Sequence, residues 1–61
     1  MPIIKMELFQ GRTKEQKAKL AEAFTRSVEE IIGTAPENTV VLFQDVSKDD
    51  WAKGGKLASA S

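Results

Sequence analysis

Residues 2–16 read PIIKMELFQGRTKEQ, and a change of rhythm inside this stretch decides the fold. From Pro2 to Phe9 the side chains alternate: Ile4, Met6 and Leu8 point one way, and Ile3, Lys5, Glu7 and Phe9 the other. That is the period-two pattern of a strand. Gln10 and Gly11 end the run. Thr13 and Gln16 then form a capping-box pattern, in which the hydroxyl accepts one free backbone N–H and the amide oxygen accepts another. A helix is predicted from about Thr13.

Leu20, Ala21, Phe24, Val28, Ile31 and Ile32 recur at intervals of three and four and make one apolar stripe. Glu15/Lys19 and Glu22/Arg26 are spaced as i,i+4 ion pairs on the opposite side. Gly33 is placed to close the helix after Ile32, with Pro36 shortly beyond. A second strand is predicted over Thr39–Val46. Strand, helix, strand in this order is a βαβ unit with parallel strands and a right-handed crossover. Both strands are apolar on both faces, yet a single helix covers one face only. The expected fold class is thus α/β (α+β), a single β-α-β protomer over residues 1–61 whose sheet is completed by oligomerisation. The tail DDWAKGGKLASAS carries a Gly54-Gly55 turn signal and is read as a short C-terminal hairpin or loop that packs on a neighbour.

Length agrees with that expectation. A chain of 61 residues buries only about 60% of the surface its unfolded form exposes. It has no Cys and no His, which removes disulfides and nearly all zinc chemistry, and leaves partner subunits as the source of added stability. Nine basic and nine acidic residues give no net charge, so neither nucleic acid nor an anionic membrane is an expected partner. No apolar run approaches the ~20 residues that span a bilayer, and no signal peptide is evident. A cytoplasmic location is expected.

Most catalytic constellations are absent: there is no Ser/His/Asp or Cys/His set, P-loop or dinucleotide fingerprint. Asp49-Asp50 and Glu29-Glu30 read as solvated acidic pairs. Pro2 is different. Removal of Met1 would leave a secondary amine, and an ordinary α-amino group titrates near ~7.7–8.0. An apolar pocket or a nearby cation would lower that value and make the amine a base at neutral pH. Pro2 also suits the start of an edge strand, where its missing N–H is not needed. Arg12 is a cation near a helix start, where the dipole disfavours it, and its guanidinium suits a carboxylate. Trp51 fits an apolar wall or a packing residue equally well.

Pro2, the segment Gln10-Gly11-Arg12-Thr13 followed by Glu15-Gln16-Lys17, the aromatic Trp51, and Gly54-Gly55-Lys56-Leu57-Ala58-Ser59 together resemble the 4-oxalocrotonate tautomerase family along essentially the whole chain. The resemblance implies a βαβ protomer assembled as a homohexamer, a trimer of dimers. It also implies a reaction without cofactor or metal on enols and dienols of 2-oxo acids. By motif position Pro2 would be the general base, Arg12 the holder of a substrate carboxylate and Trp51 the apolar wall. Where the family's dicarboxylate enzymes carry a second arginine early in the second strand, this chain has Val40. The resemblance therefore implies weak turnover of 2-hydroxymuconate, or a different enol substrate. Lys53 stands where an apolar residue is expected and reads as an exposed lysine or a partial substitute for that arginine. Other relatives hydrate or dehalogenate unsaturated acids, which needs a carboxylate to activate water; Glu7 is the candidate. A catalytically idle assembly or binding module on the same scaffold is the remaining alternative.

Strand length adds a constraint. At ~3.3 Å per residue, Pro2 and Phe9 lie roughly 23 Å apart, further than an arginine side chain of roughly 7 Å reaches. If Pro2 and Arg12 cooperate, Arg12 must come from a neighbouring subunit whose first strand runs in the opposite direction.

Overall fold

In the computed structural model, which describes residues 1–60, the change of rhythm after Phe9 marks the end of β1, Ile3–Phe9. Helix α1 spans Lys14–Ile32, and β2 spans Val40–Val46. The tail forms a small antiparallel hairpin of β3, Ala52–Lys53, and β4, Lys56–Leu57. Strands β1 and β2 are parallel, from Ile3 level with Val40 to Phe9 level with Val46. The main-chain ladder extends one bond past each end, with Val40 N–H donating to the Pro2 carbonyl at 3.0 Å and Gln10 N–H to the Val46 carbonyl at 3.2 Å.

The helix boundaries have local causes. Thr13 Oγ1 accepts the Gln16 N–H at 3.0 Å, and the Gln16 side-chain oxygen accepts the Thr13 N–H at 2.9 Å, closing the capping box. At the other end Gly33 adopts φ 84°, a left-handed conformation that costs glycine little, and its N–H reaches the Glu29 carbonyl at 2.9 Å. Strand β2 starts one residue later than the sequence pattern suggests. The chain first makes a 3₁₀ turn over Pro36–Asn38, and Thr39 N–H is committed to the Pro36 carbonyl. The expected helix ion pairs Glu15/Lys19 and Glu22/Arg26 do not close. The ion pair that forms among the described residues is Lys17 Nζ to Asp45 Oδ2 at 2.9 Å, which ties α1 to β2. An exposed i,i+4 pair gains little over its solvated ends, whereas Lys17 is shielded on the sheet side of the helix.

Ile4, Met6, Leu8, Val41 and Phe43 face the helix, and among the described residues Leu8, at 9% exposure, is the one buried hydrophobic side chain. The opposite face, Ile3, Phe9, Val40, Leu42 and Val46, has no second layer; Ile3 is 63% exposed and Leu42 48%. The molecule is long, 44 × 23 × 14 Å, with a radius of gyration of 14.7 Å against about 10.5 Å for a compact chain of this length. Its accessible surface is 4896 Å², against about 3,900 Å² for a monomer of this mass. The isolated protomer is thus extended, with two open strand edges and one uncovered apolar face.

Candidate active site

β1 holds the candidate residues apart. At its start Pro2 is half-buried, anchored through its carbonyl to Val40, and the preceding Met1 is 83% exposed. Val40 stands beside this end on the uncovered face of the sheet, level with Ile3. No cation occupies that position, and the side chain there offers only apolar contact.

At the far end, Gly11 with φ 115° turns the chain out of β1, a conformation that favours glycine, and this places Arg12 just ahead of the Thr13 cap. Arg12 is exposed. With Met6, Leu8, Gln16, Lys19 and Leu20 it lines an open groove of about 380 Å³ along the free edge of β1. Trp51 lies at the same end. Its ring stacks against Phe9 with centroids 4.3 Å apart and planes tilted by 46°. Such an aromatic pair adds ~0.5–1.5 kcal/mol to its area burial. A second groove, about 280 Å³, is bounded by Glu7, Val46, Asp50, Trp51 and Ala52.

Pro2 and Val40 therefore lie at one end of the protomer, and Arg12 and Trp51 at the other. The seven residues of β1 separate them by roughly 23 Å. Phe9 was not among the residues marked by the sequence pattern. Its signal was its place as the last outward residue of β1, next to the turn that carries Arg12. Glu7 faces the Trp51 groove, and Asp50 beside it accepts a hydrogen bond from the Ser47 hydroxyl at 3.0 Å. Lys53 is exposed in β3, directly across from Lys56. No cluster of three or more potential metal-ligating side chains occurs among the described residues. No described helix is long and apolar enough to cross a membrane.

A short β-α-β chain with one helix, a C-terminal hairpin and these two separated ends has the architecture of the 4-oxalocrotonate tautomerases. The chain belongs to the tautomerase family: the family model described as "Tautomerase enzyme" matches residues 2–61. A "Probable tautomerase" of Bacillus cereus is 44% identical over 59 residues, covering 97% of each chain. A 2-hydroxymuconate tautomerase of Bacillus subtilis (strain 168) is 39% identical, covering 97% of this chain and 95% of its own. The crystal structure of a 4-oxalocrotonate tautomerase homologue superposes with a TM-score of 0.92 at 33% identity, over 100% of this chain and 97% of the other. The chain is an isomerase of the 4-oxalocrotonate tautomerase type.

Proposed function

We propose that this protein interconverts the enol or dienol and keto forms of 2-oxo acids, with Pro2 as general base after removal of Met1. The nitrogen takes the proton of the substrate's 2-hydroxyl; the O–H pair becomes the carbonyl as the double bonds shift by one position. The prolyl ammonium then returns the proton to the distal carbon, so no group is consumed. Arg12 of a neighbouring subunit holds a substrate carboxylate bidentately, which fixes the distance between base and acceptor carbon. Trp51 supplies a flat apolar surface beside the conjugated chain and excludes water from the proton path.

The observation that carries this reading is the separation of the two ends of β1. It makes a proline without an arginine at one end and an arginine without a proline at the other, each completed by a second copy running antiparallel. The free β1 edge and the uncovered sheet face support self-assembly, and a homohexamer built as a trimer of dimers accommodates both. With Val40 in place of a second fixed cation, a monocarboxylate enol such as phenylenolpyruvate is the better-matched substrate, and 2-hydroxymuconate the weaker one. A cytoplasmic location is part of the same proposal.

The test is ketonisation of both enols by wild type, Pro2→Ala and Arg12→Ala, with the mature N-terminus established by mass spectrometry. General-base catalysis contributes about 10²–10⁴-fold, so Pro2→Ala is expected to lose at least about a hundredfold in kcat. Equal rates for Pro2→Ala and wild type would show that the secondary amine of Pro2 is not required and would overturn its assigned role.

A further inference from the structure

The C-terminal hairpin holds two lysines where a sheet does not favour them. Lys53 and Lys56 are directly opposed across the antiparallel β3–β4 pair, and like charges in that position destabilise a ladder. Neither has an ion-pair partner among the described residues. The turn between them, Gly54-Gly55, has φ 61° and 82°, the paired left-handed geometry of a tight hairpin that fixes the register of the strands. The Ala58 N–H donates to the Trp51 carbonyl at 2.7 Å, which carries the pairing back to Trp51.

Parity places the lysines relative to the ring. Trp51 is extended, with φ −122° and ψ 115°, so residues 51 and 53 share one face of the strand, and Lys56 joins that face across the ladder. One face of the hairpin thus presents an indole and then two ammonium groups, beginning roughly 7 Å further along the strand. Stacking of Trp51 on Phe9 fixes the base of this face at the end of the protomer that carries Arg12. At the Pro2 end the corresponding position is the apolar Val40.

We infer that Lys53, supported by Lys56, is the specificity-determining second cation of the site. It receives the carboxylate of a linear dicarboxylate that Arg12 leaves unheld. The inference rests on the shared site of the preceding section. It gives a role to two uncompensated lysines placed on a tight turn beside the aromatic wall: an incoming dianion neutralises them. A lysine on a short hairpin holds its ligand less rigidly than an arginine on a strand. Partial, salt-sensitive recovery of dicarboxylate turnover, still below that of a monocarboxylate enol, is the expected result.

Binding and turnover separate the possible failures. Trp51 is the sole tryptophan, so its fluorescence reports occupancy whether or not Pro2 is the base. Titration with cis,cis-muconate, an unreactive dicarboxylate, is expected to show affinity falling about tenfold in Lys53→Ala and more in Lys53→Ala/Lys56→Ala, with Lys53→Arg restoring it. A charged hydrogen bond accounts for a change of that size. In turnover, the ratio of kcat/KM for 2-hydroxymuconate over phenylenolpyruvate should fall by a similar factor in Lys53→Ala. Lys48→Ala, which removes an equal charge from the 3₁₀ turn over Lys48–Asp50 just before Trp51, should leave the ratio as it is. An unchanged muconate affinity in the double variant overturns the inference, as does an equal fall in Lys48→Ala. Loss of muconate affinity together with full activity of Pro2→Ala would instead uphold the lysine site and remove the general-base reading.

Discussion

Mixing two impaired variants offers the sharpest test of a divided site. Pro2→Ala replaces the cyclic secondary amine by a primary one and Arg12→Ala removes the carboxylate clamp, and each alone should be strongly impaired. The first loses at least about a hundredfold. The second loses a charged hydrogen bond of ~1.5–3 kcal/mol, or about ten- to a hundredfold. Within one chain the two positions are separated by the length of β1, roughly 23 Å, so no side-chain movement brings them together. In a site shared between copies, the proline and the arginine are drawn from different chains.

After an equimolar mixture is unfolded and refolded together, half of the prolines come from the Arg12→Ala chain, and half of the arginines from the Pro2→Ala chain. If pairing is random, about one site in four regains both wild-type groups. The refolded mixture should therefore recover about a quarter of wild-type ketonisation per chain, well above either parent. Native mass spectrometry of the same sample establishes that mixed oligomers have formed. Mixed oligomers whose activity equals the mean of the two parents would show that one chain supplies both groups, and the geometric argument would fail.

Three further perturbations probe other parts of the structure. Val40→Arg puts a cation on the uncovered face beside Pro2 and should raise kcat/KM for 2-hydroxymuconate about tenfold; steady-state kinetics on both enols would show whether the gain is confined to the dicarboxylate. Leu8→Ala truncates the most buried hydrophobic side chain among the described residues and should cost about 2–5 kcal/mol. For so small a core that means loss of cooperative thermal unfolding by circular dichroism. Thr39 Oγ1 is buried without a hydrogen-bond partner, so the near-isosteric Thr39→Val should be neutral or stabilising by about 1 kcal/mol in denaturant titration. A clear destabilisation would mean that a second copy supplies the missing partner.

Local signals made the protomer legible. The alternation in β1, the Thr13/Gln16 capping box and Gly33 each act within a few residues, and each element formed where its signal stands. What escaped depends on how elements meet. Pro36–Asn38 folds into a 3₁₀ turn that takes the Thr39 N–H and delays β2, because a carbonyl three residues back is closer than the neighbouring strand. Ile31 and Ile32 belong to the apolar stripe but are 83% and 69% exposed. Nineteen helical residues span about 28 Å, whereas seven strand residues span about 23 Å, so the last turn overhangs the sheet. The helix stripe recorded this surface without saying that it lies beyond the protomer's own core. The Phe9–Trp51 contact was hidden for a related reason: it joins positions far apart in sequence through a tail with no periodicity of its own.

The orientation of assembly follows from where the two ends lie. A strand edge that pairs with a second copy of itself about a two-fold axis must run antiparallel, and the contact is then the same on both sides. Antiparallel pairing of β1 would set each Pro2 end beside the partner's Arg12 end, so that one contact would complete both proposed sites. A parallel pairing would group proline with proline and arginine with arginine, leaving both sites incomplete and the two Arg12 charges crowded at one end. The isolated protomer exposes 4896 Å², against about 3,900 Å² for a monomer of its mass, and Ile3 and Leu42 on the uncovered sheet face are part of that surface. On the proposed reading, burial and catalysis would depend on one contact. Dilution that separates the copies should remove the unfolding transition and the activity over the same concentration range. A variant that weakens only the Pro2 chemistry should lower activity at every concentration without moving that range.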